Sequence, residues 1–313
     1  MSSSGASSPG AGGSGGHGGN GCAAGGSAGT PSCACLAATC GVAPGESCCS
    51  DALVMGASFN RSNDVAYPAV VDSYRLDVYE VTVGRFRAFL DTYPASKPAV
   101  DAGAHPMIDG SGWKQAWNEA LPASAAELGV ALGCDATFQT WTGDAGPNEN
   151  LPINCVTWFE AFAFCAWDGG RLPTEAEWNL AAAGGSEQRT YPWDPAVEPG
   201  ISKAQAGYDC LADGSASDAC AFTDLLAVGT LPQGSARFGH HDMAGNIAEW
   251  TLDSYGAYAP TCSNCAKLVE TGSRTIRGGD YQDDADRCST VTRPGKVQNE
   301  RGAGVGMRCA RDR

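Results

Sequence analysis

This chain has no apolar run that approaches the length of a membrane span, and it is short of positive charge. Lysine and arginine together number 20 against 35 aspartates and glutamates, a formal net charge of -15. A surface this acidic repels phosphate backbones, so nucleic acid is excluded as a natural partner. Histidine is scarce as well, with only His17, His105, His240 and His241 in the chain. His240 and His241 are adjacent and point to opposite faces of any strand, so a three-histidine metal site is not supported. There is no G-x-S-x-G elbow, no phosphate loop and no dinucleotide fingerprint. Only one C-x-x-C occurs, "CSNC" at residues 262–265, which rules out zinc-finger arrays and lacks the strand-to-helix setting of a redox dithiol.

What is abundant is glycine, proline and cysteine. With 42 glycines and 17 prolines in 313 residues, a helix-rich fold is excluded and long loops are expected. The 15 cysteines fit disulfides in an oxidising compartment better than free thiols in a reducing one. Fifteen is odd, so a fully oxidised monomer keeps at least one free thiol. The opening "MSSSGASSPGAGG" has neither a basic nor an apolar export region. An extracytoplasmic location, secreted or in the cell envelope, is therefore expected with a start upstream or a trimmed chain.

Three regions follow from composition. Residues 1–32 are almost entirely Gly, Ser and Ala, a flexible tether. Residues 33–50 carry five cysteines and read as a disulfide-knotted segment. Residues 51–313 read as one domain. Three helices can be placed within it. Thr82 is an expected N-cap, with Phe86, Phe89 and Leu90 on one face. Thr157 and Glu160 form a capping-box pattern ahead of a stripe of Trp158, Phe162 and Cys165. Thr174 and Glu177 repeat the pattern, and Gly184 and Gly185 stop that helix. Elsewhere short apolar runs broken by Gly, Pro, Asp and Asn predict many short strands.

Four stretches together carry a family resemblance. They are "YEVTVGRFRAFL" (79–90), "GGRLPTEAEWNLAAAGG" (169–185) with "YPWD" (191–194), "DMAGNIAEWTLD" (242–253), and "IRGGDY" (276–281) with "GVGMRCAR" (304–311). In this order they resemble the formylglycine-generating enzyme, or sulfatase-modifying factor, family over about residues 51–313. The resemblance implies a loop-rich α+β fold related to C-type lectins. It implies a structural calcium held by the side chains of Asp242 and Glu249 and the carbonyls of Gly245 and Ile247, a hard-oxygen set suited to a hard cation. The bland alternative is that Glu249 pairs locally and Asp242 is a solvated turn residue. The family's other calcium site is not carried over, because Gly207 stands near the expected asparagine. The resemblance also implies a Cys165–Cys309 disulfide. Cys210 and Cys220 flank a short polar loop and are natural local partners; Cys134 with Cys155 and Cys262 with Cys265 are further candidates. On this pairing Cys288 is left over.

Formylglycine-making members of the family oxidise a substrate cysteine with O2. They hold copper(I) between two cysteines spaced C-x4-C just after the "RGG" turn. Cys288 matches the second; the first position is Asp283. A carboxylate is a hard, poor ligand for copper(I), and Asp283, Asp284 and Asp286 disfavour the Cys288 thiolate. Arg277, Arg287 and Arg293 could offset this in part. Three functions remain open. The first is an exported, calcium-stabilised, non-catalytic or altered family member binding a peptide, protein or glycan. In that reading Trp113, Trp117 and Trp141 are candidate contacts, with ordinary packing as their other reading. The second is a copper-dependent oxidase. The third is a structural envelope protein.

Overall fold

A computed structural model describes residue 1 and residues 30–313, apart from residues 35, 37, 38, 44, 194–199 and 216–218. The strands and helices are short and follow in the order β1 (Thr39–Cys40), β2 (Glu46–Ser47), β3 (Asp51–Val54), β4 (Ala57–Asn60), β5 (Pro68–Val71), β6 (Tyr74–Asp77), α1 (Val83–Asp91), α2 (Ala125–Ala131), α3 (Trp158–Trp167), α4 (Glu175–Ala182), β7 (Ala248–Ser254), β8 (Cys262–Ser263), β9 (Ser273–Arg277), β10 (Gly295–Val297), β11 (Val305–Gly306) and β12 (Ala310–Arg311). This is the loop-rich architecture that the glycine and proline content predicts, and the α+β fold that the family resemblance implies.

The helix caps form as the sequence dictates. Thr82 Oγ1 accepts a hydrogen bond from the Arg85 N–H, and both capping boxes, Thr157 with Glu160 and Thr174 with Glu177, close in each direction. Each satisfies backbone donors that the first helical turn leaves without partners. The helices then bury themselves against one another. Phe86 and Phe89 of α1 meet Phe164 of α3, and Trp117 lies edge-on to Trp113, Trp158 and Phe162. Trp141 is buried under the Arg87 guanidinium, 4.4 Å from its ring centre. Trp113 and Trp141 are thus core residues, and Trp117, partly buried, packs against that core.

The largest sheet has the order β10-β9-β7-β11, antiparallel except for the β7/β11 pair. Strand β7 is buried along its whole length and passes through the centre of the molecule. A second sheet, β12-β6-β3, sets β6 between strands from the two ends of the described domain. A third runs β4-β5-β8.

The N-terminal regions divide differently from their composition. The tether reading falls, from residue 2 to residue 29, outside the described residues. At its end, however, Ser32 is buried, and its N–H donates to Asp168 Oδ1 at 2.9 Å. The cysteine-rich segment is not a separate knot. Cys40 and Cys48 pack on Val78, Tyr79 and Val228, and the Gly41 N–H donates to the Val228 carbonyl. It is clipped by Cys33–Cys49 and Cys40–Cys48. The remaining bridges are Cys134–Cys155, Cys165–Cys309, Cys210–Cys220 and Cys262–Cys265, and Cys288 is the free thiol among the described residues.

Candidate functional site

Strand β9 delivers the chain to Gly278 and Gly279, both at positive φ (+97° and +69°). A Cβ on Gly279 would lie 2.9 Å from Cys288 Sγ, so only glycine lets the chain double back this tightly. The following loop, residues 280–288, is pinned at several points. The Tyr281 N–H donates to the Asn246 carbonyl, and the Asp209 and Cys210 N–H groups donate to the carbonyls of Asp283 and Tyr281. Within the loop, Asp283 Oδ2 accepts from the Asp280 N–H at 3.1 Å and Asp284 Oδ1 accepts from the Arg287 N–H at 3.0 Å.

Cys288 is buried against Trp193, Ala206 and Ala244, with its sulfur about 4 Å from the carbonyls of Asp280 and Asp283. Burial pushes its thiol well above the ordinary range, and the charges of Asp283, Asp280 and Asp284 push it further. Burial and the surrounding acids thus disfavour the thiolate, the form that acts as nucleophile and soft-metal ligand. Asp283 is tied to the loop backbone and lies 3.9 Å from the Arg287 guanidinium. One buried thiol and one engaged carboxylate do not make the two-thiolate set that copper(I) prefers. The residues present do not fit that ion.

The outer wall of the same loop faces an open cavity of about 400 Å³, whose rim carries Asp280, Asp283, Arg287, Lys296 and Glu300. Charges of both signs therefore line it. Asp280 is pushed up to about 7, by burial first and by the Asp283 charge second. Asp253, on the far side of the sheet, is likewise pushed up to about 7 by burial and Glu175. A carboxyl raised in the folded state stabilises the fold below its unfolded pKa, near 4, and loses that contribution as pH climbs to the folded value. Between about pH 4 and 7 each such group costs at most about 1.4 kcal/mol per pH unit. His240, held down at about 3 by burial and Arg308, acts in the opposite sense below about pH 6.5, so the net slope mixes the two. Asp280→Asn isolates one group. Its loss of stability between pH 5 and 7.5, measured by denaturant titration in calcium-free buffer, should be shallower than that of the unmodified protein. Parallel slopes would show that Asp280 is ionised in the fold.

The loop that resembles a calcium site sits directly behind. Asp242, Gly245 and Asn246 all take positive φ, and a Cβ on Gly245 would come within 2.1 Å of the Gly207 carbonyl oxygen. Asp242 is half-buried, and its Oδ2 accepts from the Gly229 N–H at 2.6 Å. Glu249 receives both arms of the Arg308 guanidinium and the Trp178 indole N–H at 2.8 Å. Glu80, which the sequence reading passed over, is wholly buried here and accepts from the Asn246 side chain and the Ile247 N–H. Its signal was an acid inside the apolar run "VYEV". Of Glu80, Asp242 and Glu249, it is Glu249 that pairs with Arg308, and burial together with the charges of Asp242 and Glu249 raises Glu80 well above the carboxylate range. Among the described residues no three His, Cys, Asp or Glu side chains converge on a common metal position. The groups left to face a cation are Asp242 and the Gly245 and Ile247 carbonyls, with Glu249 shared with Arg308.

His105 lies 3.4 Å from Glu177, His240 is buried, and His241 stacks on Tyr79; His17 is outside the described residues.

The sulfatase-modifying factor enzyme 1-like domain matches residues 42–313, most of the chain. The chain belongs to that family. Among relatives of this family member, a bovine protein named inactive C-alpha-formylglycine-generating enzyme 2 is 32% identical over 181 residues, 54% of this chain and 55% of that protein. The chain thus spans about half the length of that relative. The formylglycine-generating enzyme of Mycobacterium tuberculosis is 26% identical over 306 residues, covering 82% of this chain and 96% of the other. Among solved structures, PvdO from Pseudomonas aeruginosa superposes with a TM-score of 0.57 at 21% identity, over 84% of this chain and 94% of that one. At that identity the likeness establishes the fold. The match starts at residue 42, inside the cysteine-rich segment, in agreement with the packing of that segment on the domain.

Proposed function

We propose that this chain is an extracytoplasmic family member that does not make formylglycine and instead binds a ligand on the loop face around Asp280, Asp283, Arg287 and Lys296. The observation that carries this reading is Cys288: a lone, buried thiol whose partner position is an aspartate bonded to its own loop. The open, mixed-charge cavity beside it suits a polar peptide, protein or glycan. Six disulfides among the described residues support an oxidising location, and no helix there is long and apolar enough to cross a membrane. Lectin-like ligand binding is consistent with these loops but rests on the family likeness.

The test is turnover. The purified protein is given copper(I), a reductant, O2 and a peptide with the sulfatase-type cysteine motif, beside an active C-x4-C relative. No aldehyde is expected by mass spectrometry. Aldehyde that disappears in Cys288→Ala would sink the reading. Calcium at the Asp242 loop is part of the same proposal, because a divalent cation would offset the excess of buried carboxyls there. Calcium should raise the melting temperature, and Asp242→Asn should abolish that rise. An unchanged melting curve with and without calcium removes the ion from the account.

A further inference from the structure

A second cavity of about 400 Å³ opens on the other side of β9, away from Cys288. Its charge runs against the rest of the molecule. Arg61, Arg293 and Lys267 line it, with Asp253 as the only acid on the wall. Both guanidiniums stack on one ring, Tyr258, at 4.4 Å for Arg61 and 4.1 Å for Arg293. Two like charges gathered at one ring favour an anion nearby. The acid behind them is overcommitted. Glu175 Oε1 already takes the Tyr258 hydroxyl at 2.5 Å and Arg277 at 3.0 Å, and lies 3.6 Å from Arg293 Nε. Arg61 Nε and Nη2 donate to the Tyr67 and Ala259 carbonyls, and Arg293 Nη1 and Nη2 to the Gly256 carbonyl and Thr275 Oγ1, which leaves Arg293 Nε without a hydrogen-bond partner and Arg61 Nη1 facing the Cys265 sulfur at 3.8 Å. Asp253 spends its oxygens on the Glu175 and Lys267 N–H groups and, raised to about 7, is only partly ionised at neutral pH. The remaining wall is apolar, formed by Ala257, Ala266, Leu268 and Val269.

We propose that this cavity is a binding site for a carboxylate borne on an apolar group, with Arg61 and Arg293 holding the carboxylate and the Ala266–Leu268 wall receiving the apolar part. Guanidinium forks match a planar carboxylate in two parallel hydrogen bonds. The dimensions suit a small acid or the end of a peptide chain. Both sources present the same chemistry.

The intact, oxidised protein is titrated calorimetrically in low-chloride buffer with N-acetyl-leucine and with N-acetyl-leucinamide. A leucine-ended hexapeptide is titrated with its terminus free or amidated. The free acids are expected to bind at least about tenfold more tightly than their amides, since charge-assisted bonds are lost in the amide. Arg293→Gln should lose a similar factor. So should Val269→Asp, which places a negative charge on the exposed rim without disturbing the core. Tighter binding of the free-ended peptide than of the small acid assigns the site to chain termini; the reverse order assigns it to free acids. Equal binding of acid and amide, no binding of any probe, or wild-type affinity in both variants overturns the proposal.

Discussion

Asp77→Asn should lower the stability of this protein by about 3–5 kcal/mol, the cost of stripping one partner from a buried ion pair. Asp77 ends β6 with its side chain wholly buried. Its Oδ2 accepts from Arg85 at 2.8 Å and from the Cys309 N–H at 3.2 Å, and its Oδ1 accepts from Arg311. Asp168 completes the set, with Oδ2 bonded to Arg85 at 2.7 Å and to Arg311 at 2.9 Å. Two acids and two guanidiniums balance; with Asn, one positive charge is left out of water. Burial works against ionised Asp77, yet Arg311 and Arg85 hold its carboxyl below the usual range. Its contribution is therefore present above about pH 4 and is lost as pH falls through the lower folded value. Denaturant titration at pH 7 reads the change directly. A loss under about 1 kcal/mol would mean that water reaches the quartet and screens it.

The second large effect is expected from the Cys165–Cys309 bridge. It closes a loop with a sequence separation of 144 between α3 and the residue before β12, and both cysteines are fully buried. On the chain-entropy account a loop of this length stabilises by about 5 kcal/mol, whereas the three-residue separation of Cys262–Cys265 gives about 2 kcal/mol. The double variants Cys165→Ala/Cys309→Ala and Cys262→Ala/Cys265→Ala should differ accordingly in their denaturant midpoints. Equal losses would place the stabilisation in local packing and not in the restricted unfolded chain.

The parts of this structure legible in the sequence are those governed by short separations. The caps at Thr82, Thr157 and Thr174 depend on residues three positions away, and all three formed. Cys210 with Cys220 needed only a ten-residue loop. The substitution at Asp283 was visible because the loop between Gly279 and Cys288 is itself local. Asp77 and Glu80 were not legible as buried ionic centres. The partners of Asp77 include Arg311, and Glu80 interacts with Arg308, both more than two hundred positions downstream. Nothing in the pattern near residue 80 announces them. The arginine cavity was hidden for the same reason, since Arg61 and Arg293 meet on Tyr258 only after β4-β5-β8 and the main sheet have packed. Trp113 and Trp141 sit in loop-like sequence, yet tertiary burial claimed them for the core.

The placement of β6 between β3 and β12 also bears on the order of folding events. Strand β3 can add to β6 as soon as residue 77 is available, because the two are joined by a short stretch of chain. The other edge of β6 must wait for residues 310 and 311. Until then the β6 edge that β12 will cover stays open, with the charge of Asp77 short of Arg311 and Cys165 without its partner. Pairings across such separations are slow and leave strand edges exposed to other chains. A growing chain that has not yet reached residues 310 and 311 is thus the species most exposed to mispaired cysteines and edge-to-edge association, and the addition of β12 acts as the closing step of this sheet.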